Sequence, residues 1–185
     1  MNRNHIVLLI AMIVLSGCGA APDTESDAGA TESADTAVAT TGMTLPDGFT
    51  ATLFAEGLTT PRHIAVAGNG DVYVTLRSGQ AKFRATEEPG GVAALRDTDG
   101  DGAADMTEIF GTPDIDTGLA IHDGSIYYAS MTTIYASTLG DDLVPTADAE
   151  VVIAEMPQSA NGHRTKPITF DGDGNLYTQV GSPSN

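Results

Sequence analysis

Three segments of the chain repeat one pattern at intervals of about fifty residues: "IAVAGNGDVYV" from Ile64, "LAIHDGSIYYA" from Leu119 and "ITFDGDGNLYT" from Ile168. Each reads as a short apolar strand, a turn built from Gly, Asp and Asn, and a second strand bearing a tyrosine. The aligned tyrosines are Tyr73, Tyr127 and Tyr177, 54 and 50 residues apart. The turns "GNGD", "HDGS" and "DGDG" suit hairpins because these residue types tolerate positive φ. Between them lie further β-type runs, "GGVAAL", "TTIYAS" and "AEVVIAEM", and nothing in the body sustains a helical period. Four short strands per fifty-residue unit is the pattern of a propeller blade. The predicted class is therefore all-β, a β-propeller, with a β-sandwich carrying unrelated hairpins as the alternative. Residues 44–185 have room for about three blades, whereas propellers use about four to eight. The chain is expected to be an incomplete set of blades from a longer protein.

Ahead of this body stands "MNRNHIVLLIAMIVLSGCGA". One basic residue precedes an apolar run from Ile6 to Leu15, too short to span a bilayer comfortably, and small residues follow. Residues 1–17 therefore read as a secretory signal peptide. Cys18, the only cysteine, closes "LSGC", which resembles the bacterial lipobox and predicts lipidation at that residue. The alternative is an ordinary signal peptide with an unrelated cysteine. With one thiol, no disulfide within the chain is available. Gly19 rather than Asp after the cysteine points to a periplasmic location on an outer-membrane lipid anchor. Residues 18–43 are acidic, without a basic or aromatic residue, and cannot bury enough apolar surface to order themselves. They are expected to be a disordered tether.

Charge narrows the partners. The chain holds 25 Asp and Glu against 8 Lys and Arg, a formal net charge of -17. Such a body has little to neutralise phosphates with, so nucleic acid is excluded as a partner. Against that background "NGHRTKPITF" stands out: His163 is flanked by Arg164 and Lys166, just before an apolar run. In a propeller the first strand of each unit is innermost, so these residues would sit on a loop at the channel mouth. Neighbouring cations disfavour imidazolium, which leaves His163 neutral and able to accept a proton, and the cations suit a polyanionic ligand. From pattern alone, a surface histidine without a role is the better reading.

A second pattern is acidic. "DTDGDGAADMTE" places Asp97, Asp99, Asp101, Gly102, Asp105 and Glu108 at positions 1, 3, 5, 6, 9 and 12 of the twelve-residue calcium-loop template. The flanks "VAAL" and "EIF" read as strands rather than EF-hand helices. The loop is either a structural Ca²⁺ site or a solvated acidic hairpin loop. The shorter "DGDGN" at 171–175 lacks the later ligands and reads as a turn. His63 and His122 lie beside apolar strand residues, as packed or surface histidines do.

The stretches "GLTTPRHIAVAGNGDVYVTLRSG", "DTGLAIHDGSIYYAS" and "GHRTKPITFDGDGNLYTQVGSPSN" together resemble the glucose/sorbosone dehydrogenases. The resemblance runs from about Leu45 to Asn185 and corresponds to the N-terminal portion of that domain. It implies a six-bladed propeller that uses pyrroloquinoline quinone (PQQ) and calcium to oxidise a hydroxyl of a sugar or aldose. The carbon-bound hydrogen leaves as hydride, and the electrons pass to an acceptor of the respiratory chain. His163 matches the family's catalytic base, which removes the hydroxyl proton. Arg164 and Lys166 become candidate quinone-binding cations. "DTGLA" resembles a family turn that approaches the cofactor, which adds Asp116 and Thr117. The soluble glucose enzymes carry an acidic residue before the histidine and an arginine four positions after it, where this chain has Gly162 and Pro167. Lys166 is the candidate for that cationic role. The remaining quinone ligands and the catalytic calcium loop are expected beyond residue 185, so the fragment alone is expected to be inactive. Two rivals share the architecture: a lactonase-like hydrolase with a Glu, Asn and Asp metal site, and a non-catalytic binding module.

Overall fold

All three predicted hairpins form. The computed structural model describes residues 44–78, 89–158 and 164–181, all within the unit Ala37–Asn185. The signal segment, Cys18, the acidic tether and His163 lie outside the described residues. Ten strands follow one another, and no helix occurs among the described residues: β1 (Pro61–Val66), β2 (Val72–Leu76), β3 (Gly91–Arg96), β4 (Met106–Phe110), β5 (Ile115–His122), β6 (Ser125–Ser130), β7 (Ile134–Thr138), β8 (Glu150–Ile153), β9 (Ile168–Phe170) and β10 (Leu176–Thr178).

They pair as antiparallel meanders, β1-β2-β3-β4 and β5-β6-β7-β8, with β9-β10 as a two-stranded third unit. The turn chemistry explains the hairpins. β5 and β6 are joined by Asp123 and Gly124, whose φ values of 45° and 71° make the two-residue turn that matches strand twist. The first and third hairpins use five-residue turns with one hydrogen-bond pattern. Ala67 N–H donates to Asp71 C=O and Gly70 N–H to Ala67 C=O; Asp171 N–H and Gly174 N–H repeat these bonds with Asn175 and Asp171.

The sheets stack face to face, with first strands adjacent: β1 beside β5, and β5 beside β9. Strand alternation then sorts each residue to one of two interfaces. Tyr73, Val92 and Ala94 of the first sheet pack on Ile115, Leu119, Ile126 and Tyr128 of the second. On the opposite face of the first sheet, Val74, Leu76, Ala93 and Leu95 are covered by Phe54, Ala55 and Leu58 from the segment before β1. Ala129 and Ile134 of the second sheet meet Ile168 of the third unit, with Phe170 and Leu176 at the margin. Each fully buried aliphatic side chain contributes about 1.5–3 kcal/mol. The first interface is reinforced by edge-to-face contacts of Phe110 with Tyr73 and Tyr128, at ring separations of 6.2 and 5.7 Å.

The repeat phasing survives at the level of faces. Tyr73 and Tyr127 point towards the following unit, and Tyr177 occupies the matching position of the third hairpin. Tyr73 is 1 % exposed beneath the second sheet, and Tyr127 is half-buried against Phe170. Tyr177 is 53 % exposed, because nothing among the described residues covers its face. Successive four-stranded meanders with adjacent inner strands are a propeller-like arrangement.

Candidate functional site

The inner strands are irregular where chemistry was expected. β5 pairs Ile115 with Ser130 and Leu119 with Tyr128, so Asp116, Thr117 and Gly118 face the single residue Ala129. "DTGLA" is thus a bulge within a strand rather than a free turn. β1 has a smaller irregularity between Pro61 and Ile64. The two are connected: His63 N–H donates to Thr75 Oγ1 at 3.1 Å, and that hydroxyl donates to Thr117 C=O at 3.3 Å. Bulges re-aim side chains, and they concentrate next to active sites.

The re-aimed side chain is Asp116. It is 0 % exposed, and two arginines from neighbouring units reach it. Arg77, just after β2, places Nε 3.3 Å from Oδ1; Arg164, just before β9, places Nε 3.0 Å from Oδ2. These are ion pairs by distance, yet the N–H vectors miss the oxygens. Both Asp116 oxygens, and Nε and Nη1 of Arg164, are buried without a hydrogen-bond partner among the described residues. Thr117 Oγ1 and Thr178 Oγ1 are in the same condition. Buried polar atoms are nearly always paired; the Asp116 oxygens are at least held by the two arginines, whereas Nη1 of Arg164 marks a place where a ligand or water completes the bonding.

Lys166 completes the cluster. It is 1 % exposed, and its Nζ donates to Arg164 C=O at 3.5 Å. Burial pushes its pKa below the ordinary lysine value, while the Asp116 charge pulls it back up. The sequence placed Arg164 and Lys166 at an open channel mouth. Instead both are buried, because the segment carrying them lies directly on β5. Gly118 permits that approach: a Cβ there would run into Lys166 C=O and come within 2.8 Å of Ala129 Cβ. Of the five Lys and Arg among the described residues, three therefore converge on one carboxylate. Arg96 is consumed elsewhere, by a bidentate pair with buried Asp71 at 2.6 Å on both arms. That fork holds Asp71 below the usual carboxylate range.

Sequence reasoning missed Arg77 and Gly118. The signal for Arg77 was its scarcity: it is a rare cation directly after a strand adjoining the predicted inner one. Gly118 gave no separate signal, since its role depends on a neighbouring unit.

The acidic loop is only partly assembled. Ligand atoms of Asp97, Asp99 and Asp105 lie within 4.8 Å of one another, a spread compatible with oxygens around one Ca²⁺. Asp101 and Glu108 do not join them. Asp101 accepts from Ala103 N–H, and Glu108 sits in β4 opposite Ala94. In an EF-hand the exiting helix turns position 12 back onto the ion, whereas here the hairpin ladder carries Glu108 away. The loop also satisfies itself. Asp97 accepts from Gly100 and Gly102 N–H, and Asp105 from the N–H and hydroxyl of Thr98. These bonds hold Asp97 and Asp105 below the usual carboxylate range.

The remaining candidates are structural. Asp171 accepts from Asn175 and the Tyr177 hydroxyl within its turn, which holds its pKa at about 2. His122 stacks on Phe170 at 4.3 Å, and His63 is exposed. A shallow depression of about 450 Å³ over β6–β8, lined by Tyr127, Ala136 and Val152, contains none of the Asp116 cluster.

No family model and no curated protein matches the chain. Solved structures do. The calcium structure of a Trichoderma reesei carbohydrate-active enzyme of family AA12 matches with a TM-score of 0.59 at 23% identity, over 75% of this chain and 34% of that one. The holo form of the pyranose dehydrogenase PQQ domain from Coprinopsis cinerea matches with a TM-score of 0.62 at 17% identity, over 76% of this chain and 32% of that one. The chain thus spans about a third of the length of the structures it matches, and the likeness is one of fold.

Proposed function

We propose that these blades belong to a quinone-dependent oxidoreductase that oxidises a hydroxyl of a sugar or aldose. The observation that carries the reading is the surplus of cations, two of them buried, around the inner-strand carboxylate Asp116. Arg77, Arg164 and Lys166 face a single carboxylate in a chain of net charge -17, and Arg164 has donors without a partner among the described residues. That donor set fits a polyanion such as the PQQ carboxylates. The fold likeness to a PQQ domain and the sequence resemblance support the same assignment.

Arg164 Nη1 and Lys166 Nζ would hold the anion, and Thr117 Oγ1, beside Asp116 in sequence, has no hydrogen-bond partner among the described residues. The quinone, when bound, supplies a two-electron acceptor for hydride from the sugar carbon. His163, one residue before Arg164, would take the hydroxyl proton. A lactonase-like site would need inward carboxylates free to hold a metal. The inner-strand carboxylate found among the described residues is instead engaged by two arginines. The location proposed is the periplasm, on a lipid anchor at Cys18.

The test is dye-linked sugar oxidation by the protein expressed from its complete reading frame and loaded with quinone and calcium. His163→Ala is expected to lower kcat by about 10²–10⁴ with quinone affinity retained. Lys166→Ala is expected to weaken quinone affinity by ~1.5–3 kcal/mol. Wild-type turnover in His163→Ala would refute the assignment of the base, and absence of quinone-dependent oxidation would refute the reading as a whole.

A further inference from the structure

We propose that Asp116 is the positioning residue of this site: one buried carboxylate clamps the inner ends of three successive units and so fixes Arg164 and Lys166 for an anionic ligand. The identity of that ligand rests on the quinone reading above; the clamp itself does not.

The geometry separates Asp116 from a ligand contact. Its side chain is buried, and each oxygen already has an arginine Nε within 3.3 Å, one from each flanking unit. A bound anion would be repelled by this carboxylate and attracted by the groups it holds. Arg77 follows β2, Asp116 lies in the β5 bulge and Arg164 precedes β9, so a single charge ties together elements that share no sheet. The charge balance requires such a group. Three cations packed without a counter-ion would repel one another, and a buried lysine among them would shed its proton. Three cations against one carboxylate instead leave a positive surplus for an incoming anion. The approach of 164–167 onto β5, which the missing Cβ of Gly118 allows, places Lys166 within the field of Asp116. The charged group acting on Lys166 is Asp116 from β5, and the two arginines, Arg164 from its own segment and Arg77 from beyond β2, are paired with that same carboxylate.

The experiment uses the same calcium-loaded protein, expressed from its complete reading frame, as the activity test. Asp116→Asn keeps the size of the side chain and removes its charge, and PQQ binding is followed by calorimetry across pH. Affinity is expected to fall about tenfold or more, and the alkaline loss of binding, set by deprotonation of Lys166, is expected to move to lower pH. A merely structural aspartate would lower the melting temperature without moving that profile. Arg77→Gln carries the test if Asp116→Asn does not fold. Removing one like charge is expected to move the alkaline loss to higher pH, the opposite direction. Unchanged affinity and profile in Asp116→Asn, or an unmoved profile in Arg77→Gln, overturns the proposal. If the wild-type chain binds no PQQ, the quinone reading falls and the clamp is judged by melting alone. Double-mutant cycles of Asp116→Asn with Arg77→Gln and with Arg164→Gln must then both show coupling, and additive effects in either overturn it.

Discussion

Replacing Gly118 by alanine should injure both the fold and the site, and the two effects can be separated. The added methyl group would meet Lys166 C=O, with Ala129 Cβ at 2.8 Å and Ile168 Cδ1 at 3.1 Å. Two of these are the main chain and the Cβ of packed strands, which cannot rotate aside as a flexible side chain would. Ordinary carbon contacts lie at about 3.5–4.0 Å, so the 164–167 segment has to move away by roughly an ångström or more. Overpacking of this kind costs about 1–3 kcal/mol. Alanine recovers about 0.5–1 kcal/mol of that, because glycine is the more costly residue to order in a strand. The net loss is ~1–2 kcal/mol. For a unit of this size that lowers Tm by roughly 3–8 °C. Differential scanning calorimetry measures the loss, and calorimetric titration with PQQ measures the second effect. Displacing Arg164 and Lys166 from Asp116 should weaken anion binding by more than the stability loss alone explains, since the variant is still folded at assay temperature. Unchanged melting would show that the strand and the segment do not approach as described. Unchanged binding with lowered melting would show that the approach serves packing only.

Lys166→Met should alter the pH dependence of stability. Burial holds Lys166 below its ordinary value of 10.5, so between the folded and unfolded values the unfolded chain binds more protons and stability rises with pH. Denaturation midpoints across the alkaline range should show that rise in the wild type and lose it in the variant. Calcium at about a hundred times its Kd stabilises a native state by ~2.7 kcal/mol. If the ion seats on Asp97, Asp99 and Asp105, melting should shift with calcium and with chelator, and Asp97→Asn with Asp99→Asn should remove the shift. Indifference to both leaves a solvated hairpin loop. Cys18→Ser should release the protein from membranes, and failure of the wild type to incorporate labelled fatty acid would refute the anchor.

What the sequence made legible is local. The hairpins were readable because turn chemistry is written within a few residues. Asp123-Gly124 supplies two consecutive positive φ values, and the five-residue turns reuse one hydrogen-bond scheme. The alignment of Tyr73, Tyr127 and Tyr177 was readable because a period-2 element repeated at a near-constant interval keeps its phase. Arg164 and Lys166 were readable as an anomaly of composition. The calcium template, by contrast, was legible only as far as its local part. Asp97, Asp99 and Asp105 cluster within one loop, but position 12 presupposes a returning helix, and β4 provides none.

The counter-ion of the site was the least legible feature, for a physical reason. Asp116, Arg77 and Arg164 belong to different units, and only the stacking of those units brings them together. No sequence spacing encodes that contact. Electrostatics nevertheless constrained what such a contact had to be. At 0.1 M salt, exposed charges interact over about 10 Å, so the exposed acidic residues among those described form a mostly screened, mildly repulsive exterior for an anion. Affinity for an anion in such a chain cannot come from the surface. It has to come from cations withdrawn from water, where screening is weak, and cations withdrawn from water need an opposing charge to remain protonated. A buried carboxylate among buried basic groups is the arrangement that satisfies both demands. Asp116, fully buried between Arg77 and Arg164 and acting on Lys166, is that carboxylate.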